Sequence, residues 1–310
     1  MELSRVQRII LFVLSLGLAV GLCSLPAAAS ADDEVYVLRS DVREVRLAFS
    51  ARNAQGRTIS SLRPSDVAVA DNGRIIRHFR SFHPAAETPL DLIVLLDASD
   101  SMAAHIGEEV EAVRRFVASS QWGPDDRISI LTFGGMRWKL LCARNCRGQQ
   151  AERELGGLQP QGSTPLYDAL FAAAELLARS ATPETRPAMI LFSDGLDTIS
   201  MHGATEVVKA AQELQCAIYT VNSRSRREGE GRGEDVMEFF SNSTGGMSFL
   251  PGGDAQAALQ QVLEDLRSGY LLTYALPERT GGEHSVQVLA TMDPRLQFRS
   301  RRAYRELAEE

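Results

Sequence analysis

Five oxygen-bearing side chains stand out by type and spacing. Asp97, Ser99 and Ser101 form a D-x-S-x-S run, followed at a distance by Thr164 and then Asp194. Carboxylates and hydroxyls without Cys or His suit a hard cation, Mg²⁺ before Mn²⁺ or Ca²⁺. Two carboxylates brought together repel each other, and a divalent cation neutralises both. The three hydroxyls are neutral ligands, so a cation held by them stays electrophilic, and an acidic group from elsewhere can displace one of its waters. Taken singly, each serine reads better as a helix cap or a turn hydroxyl. Their joint occurrence in this order is what points to a metal.

The flanking elements put these residues at one edge. Leu92–Leu96 is a continuous apolar run ending in Asp97, the mark of a strand covered on both faces. Ala188–Phe192 is a second such run, ending in Ser193-Asp194-Gly195. Gly162-Ser163-Thr164-Pro165 opens a helical pattern over Thr164–Arg179, with Pro165 at the first position, where a missing N–H costs nothing. In open α/β sheets ligands bind at the carboxyl ends of strands. The surrounding chain alternates in the same way. His105–Ser119, Gly203–Leu214, Asp235–Asn242 and Asp254–Ser268 have helical patterns; Arg127–Phe133, Cys216–Val221 and Gly246–Leu250 have strand patterns. The expected fold class is α/β, a doubly wound, mostly parallel sheet with helices on both faces.

At these residues the chain resembles a von Willebrand factor A (VWA) domain. The D-x-S-x-S run with Thr164 and Asp194 resembles that family's metal-ion-dependent adhesion site (MIDAS). The flanks resemble more narrowly the bacterial secreted "VWFA-related" proteins, through Ser65-Asp66-Val67, Asp71-Asn72-Gly73 and a Tyr-rich terminal strand region. The resemblance implies a Rossmann-like domain, and with no nucleophile–base–orienter set legible in the spacing the chain is expected not to be an enzyme. It implies Ser99, Ser101 and Thr164 near the metal, with Asp97 and Asp194 bonded to it directly or through water. The implied partner is a protein presenting Asp or Glu. Asp100 departs from the family, where glycine is usual. It reads as a solvated turn residue, with altered metal preference as the alternative. Asp197 reads as a cap or turn residue, with a role behind the metal ligands as the alternative.

The ends of the chain are patterned differently. Met1–Ala31 has Arg5 and Arg8, an apolar run from Ile9 and a small-residue A-x-A stretch, which predicts a cleaved secretory signal and export to the periplasm or beyond. The segments 32–88 and 269–305 alternate with period two and carry turn signals at Asn53-Ala54-Gln55-Gly56 and Asp71-Asn72-Gly73. Neither has enough strands to stand alone, so the two are expected to pair into one β-sandwich-like module with the VWA domain, 89–268, inserted between them. His83–Pro89 would be the linker, Leu296–Tyr304 one strand, and 306–310 an acidic tail. The chain's formal net charge of −7 argues against nucleic acid as a partner, and no membrane span is expected after signal cleavage.

The remaining chemistry-bearing residues have blander readings. Cys142 and Cys146, in CARNC, are either a local disulfide or two free thiols, and Cys216 is a small core residue. His105 and His202, near the same edge, would be needed by the rival reading, a metal-dependent hydrolase. A second rival is an assembly scaffold that binds without metal. Arg224–Asp235 and the arginines of Arg299–Arg305 read as solvated surface.

Overall fold

The computed structural model describes residues 44–222, 224, 233–249, 252–276 and 282–306. The expected signal peptide, Val35, Val37 and Val42, most of the Arg224–Asp235 segment and residues 307–310 lie outside the described residues. The described chain opens with strands β1 (Glu44–Arg52), β2 (Val67–Asp71), β3 (Arg74–Ile76) and β4 (Ser81–Pro84). Alternation follows: β5 (Leu90–Asp97), α1 (Ile106–Val117), β6 (Arg127–Gly134), β7 (Arg137–Cys142), α2 (Gly148–Gly156), α3 (Leu166–Ser180), β8 (Arg186–Phe192), α4 (Ala204–Glu213), β9 (Ala217–Val221), α5 (Glu234–Thr244), β10 (Ser248–Phe249) and α6 (Ala255–Ser268). Strands β11 (Tyr270–Ala275), β12 (Gly282–Ala290), β13 (Gln297–Ser300) and β14 (Ala303–Glu306) follow.

The fold is α/β, with a mostly parallel central sheet in the order β10-β9-β8-β5-β6-β7. Only the edge strand β7 runs antiparallel to its neighbour. All eight residues of β5 are buried, and they alternate between two cores. Leu92, Val94 and Leu96 meet Val113 and Phe116 of α1 and Leu259 and Val262 of α6 on one face. Ile93 and Leu95 meet Leu170 of α3, Val207 of α4 and Phe240 of α5 on the other. Each such side chain contributes about 2 kcal/mol by leaving water, which holds the carboxyl edge of β5 in place.

Two four-stranded antiparallel sheets accompany this domain, β13-β1-β11-β4 and β14-β12-β2-β3. β1 pairs with β11 and β13, and β2 with β12, so each sheet mixes strands from both ends of the chain. Val45, Leu47, Phe49, Val67, Val69, Leu272, Val286 and Val288 form their shared core.

Several local expectations are corrected. Leu296–Tyr304 is two strands in different sheets, and the break falls where Arg301 turns inward. Arg301 is buried and donates to the Gln212 and Arg46 carbonyls, while Arg299 donates to the Gly245 carbonyl and pairs with Asp265. These two arginines therefore clamp backbone carbonyls and a carboxylate and are not a solvated face. His83 and Pro84 belong to β4, in register with Leu271 and Tyr270, and are not linker. Of the expected strand Gly246–Leu250, the described residues 246–249 form a strand at Ser248–Phe249, β10. β7 and α2 are elements beyond those expected. Cys142, at the end of β7, forms a disulfide with Cys146, and Cys216 is a buried free thiol.

Candidate metal centre

β5 and β8 are neighbours in register, Leu96 beside Phe192, so Asp97 and Ser193-Asp194 leave the sheet at the same edge. Asp97 is completely buried. Its Oδ1 accepts the Ser99 N–H at 2.9 Å and its Oδ2 accepts the Ser193 hydroxyl at 2.6 Å. Burial pushes the Asp97 carboxyl up to about 6; the hydrogen bonds from Ser193 and Ser99 pull it down, and the Asp194 charge adds to the rise. Ser99 is buried with its Oγ 3.1 Å from that of Ser101, which is exposed. The run thus leads from a buried carboxylate to an exposed hydroxyl.

The second loop is tied to the first through Asp100. Its N–H donates to the Gly162 carbonyl at 3.1 Å, and its Oδ1 accepts the Gly162 N–H at 2.9 Å. Asp100, though exposed, therefore bridges two loops. Thr164 is buried and locked to the third loop: its N–H donates to Thr198 Oγ1 at 2.7 Å, and the Thr198 N–H donates to its carbonyl at 3.0 Å. Asp197 is the cap of α3, accepting the N–H groups of Leu166 at 2.9 Å and Tyr167 at 3.3 Å. This cap starts the helix at Leu166, one residue after Pro165, and corrects the expected start.

Asp194 is buried, with Oδ1 accepting the Leu196 N–H at 3.1 Å. Its Oδ2 carries the guanidinium of Arg224, Nη1 at 2.6 Å. Arg224 follows β9, the strand next to β8. Gly195, at φ +79°, lies so close to Gly233 that a Cβ on Gly233 would collide with the Asp194 carbonyl. The start of α5 is therefore pressed against this edge.

His202 is engaged locally. Its Nδ1 lies 2.7 Å from Asp168 Oδ1, and its ring stacks on Phe171 at 3.9 Å between centroids. His105 immediately precedes α1, with its N–H donating to the Met102 carbonyl.

Among the described residues no three Asp, Glu, His or Cys side chains gather as a metal-holding group. The donor set at this edge is instead two buried carboxylates with neighbouring hydroxyls. That chemistry fits a hard cation: two negative charges out of water need positive charge beside them.

A family model of the von Willebrand factor type A domain matches residues 92–196. The chain carries a von Willebrand factor type A domain. The match begins in β5 and ends just past Asp194, so it spans all five residues singled out from the sequence. The chain is 26% identical over 152 residues to the magnesium-chelatase 60 kDa subunit of Cereibacter sphaeroides, covering 49% of this chain and 25% of that one. It is 25% identical over 205 residues to the bovine inter-alpha-trypsin inhibitor heavy chain H4, covering 61% of this chain and 21% of that one. These matches span about a quarter or less of the relatives' own length. Among solved structures, BatB from Bacteroides thetaiotaomicron aligns with a TM-score of 0.44 at 18% identity, over 57% of this chain and 97% of that one.

Two residues that sequence reasoning did not single out belong to this edge of the central sheet. Ser193 donates to Asp97, and Arg224 pairs with Asp194. The available signal was position: each follows a buried parallel strand of the same sheet, and such strands open at one edge.

Proposed function

We propose that this is an exported binding protein whose VWA domain holds Mg²⁺ and, through it, an acidic side chain of a protein partner. Asp97, Ser99, Ser101, Thr164 and Asp194 would hold the ion, with Mn²⁺ and Ca²⁺ as alternatives. Bound there, the cation would supply a Lewis-acidic position open to a carboxylate. The reading rests above all on Asp97, a carboxylate taken wholly out of water beside Asp194 at the end of a central strand. Asp100 and Asp197 would act by bracing the loops behind the ligands. Leu196, Ile199 and Met201 are exposed on the loop after Asp194, and Met136 on the β6–β7 turn; they give apolar contact area to a protein partner. The segments 32–88 and 269–305 would form the module that positions the inserted domain. The export reading rests on the Arg5, Arg8 and apolar run of residues 1–31.

The test is water-proton relaxation of the Mn²⁺-loaded protein, titrated with acetate. The expected outcome is enhanced relaxation that acetate lowers and chloride does not. No enhancement in the parent and in Arg224→Gln alike, or no effect of acetate, contradicts the reading.

A specific observation favours a second reading. The Arg224–Asp194 pair already supplies positive charge, as a scaffold that binds without metal would require. That reading predicts thermal unfolding unaffected by Mg²⁺ or chelator. The hydrolase reading would need His105 or His202, and His202 is occupied with Asp168 and Phe171.

A further inference from the structure

The carboxylate of Asp194 has both oxygens engaged: Oδ1 by the Leu196 N–H and Oδ2 by Arg224. The Asp194 side chain is 3% exposed and that of Arg224 is 18% exposed, so the pair is shielded from screening by solvent. Arg224 is also held by its backbone on both sides. Its N–H donates to Asn222 Oδ1 at 3.2 Å and its carbonyl accepts the Gly252 N–H at 2.6 Å. The guanidinium is thus a cation on a short tether, delivered by β9 to the edge where β5 and β8 deliver the acids.

Charge and space then conflict. Asp97 and Asp194 carry two negative charges between them when ionised. A guanidinium neutralises one, and a divalent cation both. Nη1 stands 2.6 Å from Asp194 Oδ2, within the first contact layer of that oxygen. Nη1 takes one of that oxygen's two lone pairs, so a divalent cation on the other would stand beside the guanidinium, and like charges at that range repel.

We infer that Arg224 is a tethered counter-cation for this site: its guanidinium and a divalent cation are alternative partners of the Asp194 carboxylate, and loading the site with metal releases Arg224 from it. This rests on the metal-binding reading above. It adds that the apo site is held closed by the chain's own charge, and that apparent metal affinity is set by Arg224 as well as by the ligands. The backbone of Arg224 is anchored through its own N–H and carbonyl, independently of the guanidinium.

The test compares the purified full chain with R224Q and R224K in two measurements, Mn²⁺ calorimetry and the rise in Tm on adding Mn²⁺. R224Q should bind Mn²⁺ about tenfold more tightly. Without metal it should melt several degrees below the parent, because Asp194 is left buried without its partner, and Mn²⁺ should raise its Tm more than the parent's. R224K keeps the charge but has a different donor geometry; it should bind with intermediate affinity and serves if R224Q folds poorly. Equal or weaker Mn²⁺ affinity in the variants, with an equal rise in Tm, would overturn the competition while leaving the metal site standing. If neither the parent nor any variant binds Mn²⁺, the metal-binding reading itself falls. Binding by R224Q alone would support the inference in its strongest form, a site that Arg224 keeps shut.

Discussion

Two buried carboxylate clusters in this chain look alike in burial and differ in how they are closed. Asp71, in the paired sheets, accepts the hydroxyls of Tyr274 at 2.7 Å and Tyr304 at 2.6 Å on Oδ2, and meets His284 Nδ1 at 2.7 Å on Oδ1. All four residues are buried and come from four different strands, β2, β11, β12 and β14. Burial and hydrogen bonding to Asp71 push both phenols well above their ordinary range, so they stay protonated donors. Asp71 is thus held by donors from three other strands. Asp97 and Asp194 sit at the end of a parallel sheet, served by a serine hydroxyl, two backbone N–H groups and one arginine. Ser99, bonded to Asp97, leads on to the exposed hydroxyl of Ser101. A buried acid wrapped in donors from several strands acts as a rivet. A buried acid pair at a strand edge, with an arginine beside it as counter-charge, is the arrangement on which the proposed binding site rests.

That contrast predicts a ranking of substitutions in metal-free buffer. Asp71→Asn should cost most, about 3 kcal/mol by chemical denaturation, because three buried partners lose a charged acceptor at once. Asp126→Asn should come next, at about 1 to 2 kcal/mol. Asp126 is a second closed acid, accepting the N–H groups of Leu90 and Gly123 and pairing with Arg267. Burial pushes its carboxyl upward, but Arg267 and those N–H groups outweigh burial and hold it below the ordinary range. Its contribution is therefore present above the ordinary carboxylate value near 4 and is lost as pH falls through the lower folded value. The gap between parent and Asp126→Asn should close in acid, below about pH 4, and a gap independent of pH would contradict that assignment. Asp97→Asn should cost least, within about 1 kcal/mol, since the amide keeps the shape and relieves a buried charge. If Asp97→Asn proved as damaging as Asp71→Asn, the distinction between rivet and site would collapse.

The sequence made part of this legible for a physical reason. Leu92–Leu96 and Ala188–Phe192 are apolar without a break because both faces of a parallel strand are covered, and polar residues immediately after such runs must lie at the sheet's carboxyl edge. That logic reached Asp97, Ser99, Ser101 and Asp194, while Thr164 was marked by the helical pattern it opens. It stopped short of Arg224, which lies 30 residues from its partner and opens a mixed-charge run that reads as solvated loop. Arg299 and Arg301 hid in the same way, since alternate arginines on a strand carry no mark of the carbonyls they clamp. The Asp71 cluster is assembled entirely by long-range strand pairing, so no local spacing announces it. Arginine in an apparent surface run is the residue type for which pattern and structure part most here, because its long stem lets a charged head reach inward.

The central claim is that the edge formed by β5, β8 and the loop before α3 binds a divalent cation through Asp97 and Thr164. Calorimetric titration of the purified protein with Mg²⁺ and Mn²⁺, beside Asp97→Ala and Thr164→Ala, tests it most directly. Saturable binding in the parent that both substitutions abolish, with folding retained by circular dichroism, is the predicted result. Binding that survives either substitution unchanged, or no binding in the parent and in R224Q alike, would contradict it.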